Sequence, residues 1–134
     1  MRSEQMSQGA SQVAVHPQVR KALVSWQQRL RQLPGLVADG RDMGTVIFPD
    51  AQCKVFLTAS AEVRADRRFK QLSQRKVAAD YQAILQDLQA RDQRDRERSS
   101  SPLVQAADAH LLDTDTLNIE QAVAQVLDWY QKSI

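Results

Sequence analysis

Apolar residues recur along most of this chain at steps of three and four, and three short apolar runs break that rhythm. Val19, Leu23, Trp26, Leu30 and Leu33 form one such stripe, opened by Pro17, which the first turn of a helix tolerates, and closed by Pro34-Gly35. Ala65, Phe69 and Leu72 make a narrower stripe behind Ser60, an N-cap residue with Val63 at the position it bonds. Tyr81, Ile84, Leu85 and Leu88 predict a third helix, which runs on into the charged stretch Arg91 to Arg98 and stops at Ser99 to Pro102. Asn118, with Gln121 placed to complete a capping box, opens a last helix striped by Ile119, Val123, Val126, Leu127 and Tyr130. Residues 3 to 14 carry a thinner signal that we read as a helix.

The apolar runs read as strands. Leu36-Val37-Ala38 lies between turn signals, Lys54 to Thr58 is β-branched and aromatic, and His110 to Asp113 is the third. Thr45 to Phe48, after the first run, is closed by the break Pro49-Asp50. Strand and helix alternate, so the predicted class is α/β: a parallel sheet with helices on its faces. At 134 residues the expectation is one domain, and no internal repeat or low-complexity linker divides it.

The first run feeds directly into Asp39-Gly40-Arg41-Asp42-Met43-Gly44. Ligands of open α/β sheets bind at the carboxyl ends of strands, so this turn is the first place to look for chemistry. Arg41 offers a planar fork of donors suited to phosphate or carboxylate, and Asp42 is an acceptor for an amino group, a hydroxyl or Mg²⁺. An ion-paired turn holding the next loop is an equally good account of these residues alone.

Charge sharpens the picture. The whole chain carries a net +2, too little to imply a nucleic-acid or membrane partner. From Arg64 to Arg98, however, ten Lys or Arg face six Asp or Glu, and eight of the ten are Arg. Arg64, Arg67 and Arg68 share one helix face, and Arg91, Asp95 and Arg98 share another by their i, i+4 and i+7 spacing. A solvated face laced with pairs such as Asp92 with Arg96 explains part of this, at only about 0.2–0.5 kcal/mol per pair. The arginine excess points instead to a small anionic ligand held between this segment and Arg41. A long polyanion is disfavoured, because no aromatic residues interleave the basic ones.

Other candidates carry little. His16 and His110 have no partners at metal-ligand spacing, and no metal site is expected. Cys53, the single cysteine, excludes an internal disulfide and reads as a packed thiol. Trp26 lies on a stripe and is expected in the core, whereas Trp129 lies off its stripe and is expected to be only partly covered. No apolar run approaches the roughly 20 residues of a membrane span, and residues 1 to 5 lack a signal-peptide apolar region. A cytoplasmic location is the default expectation.

The residues just quoted, with Ala10 to Ala14, Pro17, Val19-Arg20, Gly35 to Val46, Phe48-Pro49-Asp50 and Arg91-Asp92…Asp95…Arg98, resemble the bacterial cytidylate kinase family over essentially the whole chain. The resemblance implies transfer of the γ-phosphoryl group of ATP to CMP or dCMP, on a nucleoside-monophosphate-kinase fold with a three-layer parallel sheet. It implies that Arg20, Asp42 and Arg98 contact cytosine, that Ser11, Arg91 and Asp95 hold the pentose, and that Arg41 and Arg2 take the CMP phosphate. It further implies that Arg67 and Arg68 belong to a lid, residues 62 to 98 with its flanking helices, closing over the ATP phosphates. Arg41, Arg67 and Arg68 would then be the catalytic residues, with ATP and Mg²⁺ required by the complete enzyme.

One departure from the family pattern is large. Such kinases open with a strand and a Gly-rich phosphate loop, yet none of the four glycines here (9, 35, 40 and 44) lies in that pattern. The chain therefore reads as the C-terminal part of one kinase domain, with Met1 at an internal position and the first strands missing. An alternative is a non-catalytic nucleotide-binding or scaffold fragment completed by another polypeptide. The family's central strand would lie between the first run and the other two, and its loss leaves backbone groups unpaired at about 1–3 kcal/mol each. Against a domain stability of about 5–15 kcal/mol, a few such losses are decisive. The isolated chain is expected to melt broadly at low temperature and to make no ADP from ATP, Mg²⁺ and CMP; a sharp cooperative melt with turnover contradicts both expectations.

Overall fold

The structure, a computed structural model, describes residues 4–99 and 102–134. Its elements in chain order are α1 (Glu4–Val13), α2 (Pro17–Gln28), a π-helical turn (Met43–Ile47), β1 (Val55–Thr58), α3 (Ala61–Gln74), α4 (Tyr81–Glu97), β2 (His110–Asp113) and α5 (Ile119–Ser133). They fall into two compact units. The first comprises Met1–Asp50 and Asp95–Val104, the second Ala51–Arg94 and Gln105–Ile134.

In the first unit, α2 begins at Pro17 as expected but ends at Gln28, short of Leu30 and Leu33. Arg29, Leu30 and Arg31 continue only through bonds back to residues three or four earlier, a fraying end. Leu33 precedes a proline, which disfavours helical dihedrals, and it is 97% exposed. Trp26, expected in the core, is 54% exposed. The expected strand at Leu36 to Ala38 is irregular, with Val37 almost wholly in solvent. A parallel strand exists only through the ladder of a neighbour, and among the described residues no segment pairs with this one.

What holds the first unit is the π-helical turn. Val46 N–H and Ile47 N–H both donate to the Asp42 carbonyl, at 2.9 and 3.2 Å, and Phe48 N–H donates to the Met43 carbonyl at 2.7 Å. This buries Ile47 and Phe48. Gln28, the last residue of α2, donates to the Ile47 carbonyl of the turn at 3.0 Å, and Arg31, just past the helix, lies over the Phe48 ring while donating to Asp50 at 2.9 Å.

In the second unit β1 and β2 pair in parallel, with Val55 opposite His110 and Thr58 opposite Asp113. The α/β pattern is thus present, with two strands among the described residues rather than three. Leu112 and Ala65 are the buried apolar residues here. Ser60 caps α3 by accepting from Val63 N–H at 3.3 Å, and Asn118 with Gln121 forms the complete capping box of α5. Phe69 meets Tyr81 edge-on at 6.4 Å, joining α3 and α4 beside the short connection of residues 75–80. Trp129, half-buried as expected, stacks on His110 at 4.6 Å. The α5 stripe forms but stays accessible: Ile119, Val123, Leu127 and Tyr130 are all exposed.

Lys54, buried at the start of β1, donates to both carboxylate oxygens of Asp108, at 2.8 and 3.0 Å. The hydrogen bond from Lys54 holds the Asp108 carboxyl below its ordinary value of 3.8. A depressed folded pKa stabilises above the unfolded value and is lost as pH falls through the folded one. Acid unfolding below about pH 4 is therefore expected to be less steep in Asp108→Asn than in the parent chain; identical acid limbs refute the linkage. Asn118→Ala, which removes the side-chain acceptor of the Gln121 N–H and leaves the Asn118 N–H bond to the Gln121 side chain, is expected to cost about 1 kcal/mol in urea unfolding at neutral pH.

Candidate functional site

The first unit gathers five charged side chains that the sequence scatters over almost eighty positions. Arg20 sits in the first turn of α2, where a cation opposes the helix dipole, and its guanidinium turns back to donate to the Ala14 carbonyl at 3.0 Å. It also donates to Asp42, whose backbone is fixed by the π-helical turn that follows it. Asp42 is buried. Gly40 leaves room for the Met43 side chain, whose Cγ and Cε lie 3.0 and 2.8 Å from where a Cβ would stand.

The other half of the cluster comes from the end of α4. Asp95 is 5% exposed, the one buried residue of that helix. Arg41 donates to it through Nε, and Arg98, just past the helix end, donates to its second oxygen at 3.5 Å. The Asp95 carbonyl accepts from Leu103 N–H at 2.8 Å, which draws the following segment back. Arg98 has a side chain only 4% exposed. Burial, and then the nearby Arg20 guanidinium, push its pKa down from the ordinary arginine value, while Asp95 and Asp42 pull it up.

Three guanidiniums and two carboxylates thus share a largely buried space. Salt bridges of this kind are weak contributors to stability, since desolvation offsets most of the attraction. Their sign is informative instead: the set carries one surplus positive charge, complementary to an anion. Two polar atoms, Ser11 Oγ and Arg20 Nε, are buried with no hydrogen-bond partner among the described residues. An unmet buried donor or acceptor costs about 1–3 kcal/mol unless something completes it.

The remaining predicted site residues fall elsewhere. Arg2 lies outside the described residues. Arg91, half-buried on α4, lies in the second unit with Arg67 and Arg68. Arg67 donates to the carbonyl and hydroxyl of Thr114, just beyond β2, and that hydroxyl donates to the Thr58 carbonyl at 3.2 Å. Arg68 bonds Gln71 on its own helix at 2.7 Å. The shared face of Arg64, Arg67 and Arg68 therefore serves three different partners. Arg64 makes a two-pronged pair with Asp92, whose hydrogen bonds raise its pKa, so Asp92 is engaged across helices rather than with Arg96. Sequence reasoning did not single out Thr114, and its only signal there was a hydroxyl residue following a strand.

Among the described residues no group of three His, Cys, Asp or Glu side chains is arranged to hold a metal ion. No helix of the described residues is long and apolar enough to cross a membrane.

The family described as Cytidylate kinase matches residues 1–132. The chain is 58% identical over 130 residues to a cytidylate kinase of Cupriavidus pinatubonensis, covering 97% of this chain and 59% of that protein. It is 59% identical over 131 residues to one from Burkholderia vietnamiensis, covering 98% and 58%. A third, from Polynucleobacter asymbioticus, is 56% identical over all 134 residues and 61% covered. The chain thus spans about 59% of the length of the curated relatives it matches. A match this long establishes that the chain belongs to the cytidylate kinase family.

Proposed function

We propose that the first unit is the acceptor side of a kinase that moves the γ-phosphoryl group of ATP to CMP or dCMP. The observation that carries this reading is the surplus of one guanidinium in the cluster of Arg20, Arg41, Arg98, Asp42 and Asp95. Arg20, Asp42 and Arg98 supply both donors and acceptors, which a cytosine edge needs. Ser11 and Asp95 match a pentose hydroxyl, and Arg41, with Arg2, matches its phosphate.

In the reaction, an oxygen of the CMP phosphate attacks the γ-phosphorus and the bond to the β-bridging oxygen breaks, leaving ADP and CDP. Arg41 would spread the acceptor phosphate's charge so that a second anion can approach. Arg67 and Arg68 would neutralise the transferring group from the segment 62–98, which closes against water. The chain alone is proposed to be inactive, because its residues supply no phosphate loop.

A second reading is favoured by one set of observations. Val37 is 99% and Leu57 65% exposed, and the outward backbone groups of Val55, Leu57 and Leu111 have no ladder partner among the described residues. Open strand edges are templates for another chain. In this reading the chain is a nucleotide-binding part completed by a polypeptide that brings the missing strands. Recovery of CMP-dependent ADP formation on mixing the two would support it.

The acceptor assignment is tested by calorimetric titration of the complete kinase, phosphate loop included, with CMP and with ATP. Asp42→Ala is expected to weaken CMP about 10- to 100-fold and ATP less than about 2-fold, as loss of a hydrogen-bonded charge at the base implies. Equal weakening of both nucleotides contradicts the assignment. Arg98→Met should also weaken CMP, and unchanged CMP binding would put Arg98 in a purely structural role.

A further inference from the structure

Asp95 touches two arginines at once, and the two contacts differ. Arg98 reaches one oxygen through a terminal nitrogen at 3.5 Å. Arg41 reaches the other through Nε, the donor nearest its backbone. The Asp95 side chain is 8% exposed and that of Arg41 38%, so the anchored contact lies deep in the unit while much of Arg41 remains accessible. Asp42, next to Arg41 in sequence, is engaged by Arg20 instead.

A guanidinium can grip an oxyanion along the Nε edge or along the edge of its two terminal nitrogens. With Nε–H given to Asp95, the Nε edge is closed. We propose that Asp95 is a positioning residue that holds Arg41 by Nε–H, so that both terminal nitrogens present one forked edge to the phosphate of the acceptor nucleotide. Asp95 thereby acts on phosphate recognition as well as on the pentose. This rests on the reading of Arg41 as a phosphate ligand.

The consequence has a definite sign. A carboxylate that is merely near a phosphate repels it, so neutralising a bystander tightens phosphate binding. Neutralising a carboxylate that aims the fork loosens it, because an amide oxygen is a weaker acceptor and the guanidinium regains its rotamers. Inorganic phosphate is the deciding probe, since it has no pentose for Asp95 to contact.

The experiment titrates the chain with CMP, cytidine and inorganic phosphate, followed by the ¹⁵N side-chain resonances of arginine. Asp95→Asn is expected to weaken inorganic phosphate about tenfold, the scale of one charge-assisted hydrogen bond. On an Arg41→Lys background, which keeps the charge and loses the fork, the same change is expected to leave phosphate binding equal or tighter. Unchanged or tighter phosphate binding in Asp95→Asn alone overturns the inference while CMP binding by the parent chain leaves the functional reading standing. A parent chain that binds neither CMP nor phosphate overturns the functional reading and the phosphate role together.

If Asp95→Asn does not fold, the parent chain decides. Its Arg41 Nε–H is expected to stay protected from solvent exchange when phosphate is added, while the terminal nitrogens shift. Loss of that protection on adding phosphate means the anion has taken the Nε edge, and the inference fails.

Discussion

The buried carboxylate of Asp95 is the constraint on which the first unit's chemistry depends. It is a charge that the end of α4 places away from water, and such a charge persists only with its oxygens satisfied. Arg41 from the loop before the π-helical turn and Arg98 from beyond the helix end meet that need. The Leu103 N–H bond to the Asp95 carbonyl secures the same residue through its backbone. A single acidic side chain thereby fixes two guanidiniums whose mutual repulsion would otherwise drive them apart. Charged groups held in this way are preorganised for a ligand, and their reorganisation cost has been met in folding.

The π-helical turn performs the complementary task for Asp42. By accepting two N–H bonds, the Asp42 carbonyl sets the direction of its own residue, and Arg20 then claims the carboxylate. Segments with one extra residue per turn are rare and recur at functional sites, because they aim a side chain that a regular helix would turn elsewhere. Met43–Ile47 is therefore a helical device here, and the bend from Gly40 to Asp42 leads into it rather than closing a strand.

The second unit spends its arginines differently. Arg64 ties α3 to α4 through Asp92, and Arg67 braces Thr114 at the carboxyl end of the sheet. Neighbouring arginines on a helix differ in role according to what the next element offers them, which spacing on a helical wheel does not reveal. The thin apolar core of both units, with many large side chains exposed, agrees with a chain that spans about 59% of its relatives' length. Faces formed by periodic residues remain uncovered where the described residues supply no opposing layer.

Local chemistry was legible in the sequence wherever a residue's neighbours along the chain decide its fate. The Ser60 and Asn118 caps, the start of α2 at Pro17, the β-branched strand from Val55 and the half-covered Trp129 all follow from contacts within a few positions or from simple periodicity. The family resemblance rested on equally local strings. Tertiary structure alone decided the rest. Leu36 to Ala38 has strand composition but no ladder to join, Trp26 has a stripe but no opposing surface, and Arg41 finds its carboxylate 54 residues away. Strand formation, burial and long-range ion pairing each require a second partner, and the identity of that partner is a property of the fold, not of the segment.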